Sequence, residues 1–216
     1  MVEQVAAAAG AGIELAHGWT LHAVEPVTPA EAEATLRQPV AAIPLKAAAC
    51  LGLLRIFAVP YLECGGEKEF VSTEPPAAER HSSLWLERPD GFDLFVSFYE
   101  ASAHDTGFEL LAAVADLLVP RMSERELASY GRLLRREARE GATGEMDEDA
   151  LEARESEHPA YAAISLAATL AEYLHALWHD VEVRQGPEHL AAKFLRRRFE
   201  FLARIFPPDP GQVLFY

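Results

Sequence analysis

The stretch Ser82–Pro120, SSLWLERPDGFDLFVSFYEASAHDTGFELLAAVADLLVP, carries two hydrophobic periods in succession, and its reading decides the fold class. In its first half, Ser82–Glu87 and Phe92–Glu100 are rich in Leu, Val and aromatic residues and flank Arg88-Pro89-Asp90-Gly91, a tight-turn sequence. That arrangement predicts a β-hairpin. After the turn, Phe92, Leu94, Val96 and Phe98 alternate with Asp93, Phe95, Ser97 and Tyr99, so one strand face is wholly apolar and the other mixed. From Asp105 onward the period becomes 3.6. Thr106 with Glu109 and Ser123 with Glu126 have capping-box spacing, and each pair opens a Leu-rich amphipathic run, the first closed by Pro120 and the second fading near Gly141.

Working outward, Leu51–Leu62 and Glu69–Thr73 read as further strands, and Thr28-Pro29-Ala30-Glu31 starts a short helix that ends before Pro39. Downstream, Pro159 opens a helix running to about Asp180. Gly186-Pro187 separates it from a last helix that reaches Phe206 before Pro207 and Pro208 stop it. Strands first and helices second predict an α+β fold, an antiparallel sheet in the N-terminal half packed against a C-terminal bundle of about four helices. The expected organisation is a flexible Ala/Gly-rich leader over residues 1–15 and one α+β domain over 16–216. Within that domain, 16–103 is mostly strands with one short helix, 104–206 is helical, and 140–157 is an acidic mobile connection.

The chain has 216 residues, half of them apolar, and a formal charge of −15. That charge argues against a general affinity for nucleic acid or an anionic membrane surface. It is unevenly spread: residues 1–118 carry −11, residues 140–157 carry −7, and the helical half without that connection is net +3. No apolar run is long enough to span a bilayer, no basic n-region marks a secretory signal, and two cysteines are too few for a disulfide framework. A soluble, cytoplasmic protein with reduced thiols is expected. A Gly-x-Ser-x-Gly elbow and a P-loop are both absent from the sequence.

Three constellations carry chemistry. The first is Glu172-Tyr-Leu-His175-Ala-Leu-Trp-His179-Asp180. On a helix this spacing puts Glu172, His175 and His179 on one side with Ser165 and Thr169, opposite a stripe of Leu166, Leu170, Tyr173, Leu174 and Leu177. Two imidazoles one turn apart with a carboxylate are donors suited to zinc, iron or manganese, and His104 or Asp180 could complete the set. The competing reading is an ordinary solvated or helix-packing face. The second constellation is Glu100, His104 and Asp105 where a strand gives way to a helix, with His104 as a general base or, more simply, a loop residue beside a helix cap. The third is Arg198, which projects from the middle of the apolar face Leu190, Phe194, Leu195, Phe201, Leu202 and Ile205. A guanidinium aimed at a core anchors a ligand anion or, more commonly, a structural ion pair.

The favoured reading is a non-catalytic interaction or structural domain, with a homodimer or a protein partner and neither nucleic acid nor membrane. The alternative is a metal-dependent hydrolase or oxygenase at Glu172, His175 and His179, where the metal would activate a bound water.

Overall fold

The computed structural model describes residues 1–64, 69–76, 81–99, 101–180 and 188–214, and the chain divides into two units, 1–113 and 114–216. The first unit runs α1 (Val2–Ala8), β1 (Ile13–Glu14), a 3₁₀ turn (Ala16–Gly18), β2 (Thr20–Ala23), α2 (Pro29–Ala42), α3 (Leu45–Leu51) and β3 (Leu53–Val59). It continues through β4 (Tyr61–Cys64), β5 (Glu69–Ser72), β6 (Ser83–Arg88) and β7 (Gly91–Ser97). A further helix, α4 (Ala103–Leu118), spans the boundary between the units.

The fold class is α+β. The main sheet has five strands in the order β1-β2-β3-β7-β6, and β4 pairs with β5 as a separate hairpin. The expected hairpin forms: β6 and β7 pair antiparallel from Ser83 opposite Val96 to Arg88 opposite Gly91. The sheet as a whole is mixed, however, because β2, β3 and β7 run parallel and only the edges β1 and β6 are antiparallel. The physical reason lies in the connections. The chain leaves β2 through α2 and α3, a crossover long enough to return it parallel, and the β4–β5 hairpin with β6 brings it back from β3 to β7. Gly91 permits the central register. A Cβ there would lie 1.7 Å from the Leu53 carbonyl oxygen, and its φ of 154° is one that L side chains rarely adopt.

Three local expectations are corrected. The 1–15 stretch is built into the fold: Val2 and Ala6 of α1 are buried in one cluster with Phe57, Val59, Leu62 and Phe95. The helix α2, opened by a hydrogen bond from the Glu31 amide to Thr28 Oγ1 at 3.2 Å, passes through Pro39 to Ala42. Pro39 is buried on the same side as Leu36 and Val40, so packing outweighs the missing amide bond. Ser102, rather than Thr106, caps α4, accepting the Asp105 amide at 3.2 Å and donating to Asp105 Oδ2 at 2.7 Å.

The C-terminal region is about five helices packed together. After a 3₁₀ turn (Val119–Arg121) come α5 (Glu124–Arg139), α6 (Glu148–Glu155), α7 (Tyr161–His175) and α8 (Ala192–Ile205). The capping box of α5 forms in full, with the Ser123 amide on Glu126 Oε2 at 2.8 Å and the Glu126 amide on Ser123 Oγ at 3.3 Å. The acidic stretch 140–157, expected as a mobile connection, contains α6 capped by Asp147 and a buried Glu145. The helix expected to run to Asp180 ends at His175, followed by turns. Gly186 and Pro187, read as the break before the last helix, lie outside the described residues. Among the described residues no helix is long and apolar enough to cross a membrane.

Candidate functional site

The most highly organised polar group in the molecule surrounds Arg198. Its side chain, 1% exposed, sits among α5, α7 and the segment before α6. Nε donates to Glu137 Oε2 at 2.9 Å, while Nη1 and Nη2 donate to the two oxygens of Glu145 at 2.6 and 3.1 Å. Ser165 accepts from Nη1 at 3.0 Å and donates to Glu145 at 3.1 Å, and the Tyr161 hydroxyl donates to Glu145 as well. Tyr130, also fully buried, is hydrogen-bonded to Thr169 Oγ1 at 2.7 Å. Glu145 is placed by its backbone, whose amide bonds the Glu188 carbonyl and whose carbonyl accepts from Leu190. Gly144 makes that approach possible, since a Cβ there would lie 2.2 Å from the His189 carbonyl oxygen.

Two carboxylates share one guanidinium, and they do so unequally. Glu145 has donors on both oxygens, whereas Glu137 Oε1 is buried with no hydrogen-bond partner among the described residues. Burial pushes the Glu137 carboxyl above the usual range, and the attraction of Arg198 only partly offsets it. Arg198 thus pairs with a glutamate from a neighbouring helix and a second from a loop. Glu137, Glu145, Arg198 and Tyr130 are each at most 1% exposed, so the cluster is part of the helical core.

The polar side expected on α7 splits in two. Ser165 and Thr169 are buried in the Arg198 cluster, whereas the C-terminal end carries His175 and Glu172, with His175 Nδ1 3.2 Å from Glu172 Oε2. His179 lies beyond the helix, its ring stacked on that of His175 with centroids 6.4 Å apart. Among the described residues, no group of three or more His, Cys, Asp and Glu side chains is placed to hold a metal ion. At the start of α4, His104 and Asp105 are exposed, and the Ser102 hydrogen bond holds the Asp105 carboxyl below its ordinary value. Glu100 lies outside the described residues.

The sheet unit holds a second arrangement. Parallel pairing sets Thr20 beside Arg55 and His22 beside Phe57, and the next strand adds Asp93 and Phe95 in the same rows. The rings of His22, Phe57 and Phe95 stack across three strands, with centroids 4.9 and 4.7 Å apart. One row along, Arg55 donates twice to Asp93, at 2.7 and 2.6 Å, and Arg88 donates once more at 3.1 Å. Burial works against the Asp93 carboxylate, but these hydrogen bonds outweigh it and hold its pKa below the ordinary value. Burial, reinforced by the charge of Arg55, pushes the His22 imidazole down, so the ring is neutral at neutral pH. Beside His22 opens a cavity of about 630 Å³, lined by Val5, residues 8–11, residues 21–25 and Phe57.

The chain matches no protein-family model, no curated protein and no solved structure. Its functional reading therefore rests on geometry. The His22 row and its cavity escape sequence reasoning because they depend on the parallel pairing of β2 with β3. The signal for the Arg198 cluster was partly present: Tyr130, Ser165 and Thr169 are polar residues at helix-face positions, and only their partners across the bundle show that they are buried.

Proposed function

We propose that this chain is a non-catalytic interaction protein that self-associates through its sheet unit. The observation that carries the reading is the pair Leu45 and Leu53, which are 62% and 49% exposed. Both line a cavity of about 340 Å³ whose wall continues through Ala48, Ala49 and Gly52. The surface is held in shape from beneath, where the buried Trp19 donates its indole N–H to the Gly52 carbonyl at 3.0 Å. Two half-exposed leucines beside a concavity gain roughly 1–2 kcal/mol each when a complementary surface removes them from water. The buried cation of the helical unit, Arg198, is paired with Glu137 and Glu145, which supports a structural role for it.

Sedimentation velocity tests this reading. The wild-type chain is expected to form dimers at roughly 10–100 µM, in the range of modest affinity, and Leu45→Glu with Leu53→Glu to be monomeric over that range. A wild type that stays monomeric throughout overturns it. The alternative, metal-dependent hydrolysis or oxygenation at Glu172, His175 and His179, is supported by the 3.2 Å contact that orients His175. Its test is whether the purified protein retains zinc, iron or manganese and loses it on His175→Ala.

A further inference from the structure

The antiparallel pairing of β1 with β2 stops early, and what it leaves open has the chemistry of a strand-binding site. Its phase is fixed by the Leu15 amide bonding the Trp19 carbonyl at 2.9 Å and by Ile13 standing opposite Leu21. Continued by two residues, the same alternation would pair residue 11 with Ala23. No such pair forms: the ladder ends at Ile13, and residues 8–11 and β2 both line the 630 Å³ cavity. On the inner side the Val24 amide bonds the Ala58 carbonyl of β3 at 2.9 Å, so by alternation the amide and carbonyl of Ala23 point outward. Among the described residues neither group has a hydrogen-bond partner.

The lining supports the same placement. Leu21 and Ala23 belong to one face of β2, and His22 and Val24 to the other, and all four border the cavity, which also reaches over the sheet face to Phe57 of β3. The lining also includes Ala8, Ala9, Gly10 and Ala11, which project little side chain into it. A side chain entering on the His22 face meets Phe57 and Val5. Glu25 stands at the lining and Glu14 on the same edge, within a stretch of chain that carries net −11 over residues 1–118, so a cationic residue is favoured beside the apolar ones.

We infer that the open edge of β2 binds an extended peptide segment of a partner protein, adding it as a strand between β2 and residues 8–11. The segment's main chain pairs with the amide and carbonyl of Ala23, its alternate apolar side chains enter the cavity, and a Lys or Arg faces Glu25. The inference rests on the reading of this chain as an interaction protein, and it uses a surface other than Leu45 and Leu53.

The test begins with selection from a displayed random-dodecapeptide library on the full chain, followed by synthesis of the enriched peptides. Enriched sequences are expected to alternate apolar residues and to carry Lys or Arg. N-methylation of the peptide backbone in one alternating set, but not the other, should weaken binding by about tenfold or more. Ala23→Pro, which deletes only the outward amide, should have the same effect. Gly10→Trp is an independent block, because a Cβ at Gly10 meets nothing within 4 Å and the ring can fill the cavity mouth. Failure of the library to enrich any peptide overturns the proposal. So does binding that is indifferent to N-methylation and to both variants, which would mark a pocket for side chains or small apolar molecules. Peptide binding can fail while the Leu45 and Leu53 dimer persists, or the reverse, so each reading stands or falls on its own result.

Discussion

At the scale of single residues, the telling feature is the unequal sharing of Arg198. Glu145 accepts from Arg198, Ser165 and Tyr161, whereas Glu137, among the described residues, accepts only from Arg198 Nε and leaves Oε1 buried and unpartnered. If the cluster carries a proton, Glu137 is where it resides. Because burial raises the pKa of Glu137 in the folded state, the native protein keeps a proton that the unfolded chain releases. Its contribution to stability is then fully present below the ordinary carboxyl range and is lost as pH rises through the raised value. Glu137→Gln keeps an acceptor for Arg198 and cannot ionise. It is expected to cost less than about 1 kcal/mol at neutral pH, and its stability relative to wild type should improve as pH is raised upward from the ordinary carboxyl range. Arg198→Leu strands the Glu145 carboxylate and should cost about 3–5 kcal/mol. Urea titrations across that pH range decide the matter: a glutamine variant as unstable as the leucine one, at a pH-independent distance from wild type, would show that Glu137 is ionised. Arg198 was legible as a buried cation needing an acid, because its position on the apolar face of a helix is a property of sequence spacing. Which acids meet it was not, since Glu137 and Glu145 lie 61 and 53 residues away.

At the scale of elements, local signals were reliable where the controlling contacts are local. The turn at Pro89-Asp90, the Thr28 cap and the Ser123–Glu126 box all form because both partners lie within four residues. Pro39 and Thr106 show the limit. Burial keeps α2 intact through a proline, and Ser102 starts α4 ahead of a threonine that fits the capping pattern equally well. Strand direction was the larger miss, because alternation specifies which face a side chain occupies but not which neighbour its strand chooses. Gly91 is where that choice is most exposed to test. Gly91→Ala places a methyl against the Leu53 carbonyl at the first step of the β3–β7 register and is expected to destabilise by about 3 kcal/mol or more. Thermal unfolding measures this, and a loss under about 1 kcal/mol would mean that the strands shift without penalty.

At the scale of the whole molecule, the charge of −15 bears directly on self-association, because two copies repel one another. If Leu45 and Leu53 form the contact, added salt should strengthen the dimer, screening the repulsion while leaving apolar burial in place. A dimer that dissolves in salt would instead be held by charge. The sequence by itself determined the α+β class, the β6–β7 hairpin and the starts of α2 and α5. These follow from periodicity, capping and composition, which act over a few residues. Only the tertiary structure decided the parallel core of the sheet, the burial of Val2, Ala6 and Glu145, and the open edge of β2 beside His22. Each of these depends on which distant segments pair, and that is settled by how much apolar surface the assembled chain removes from water rather than by any short run of residues.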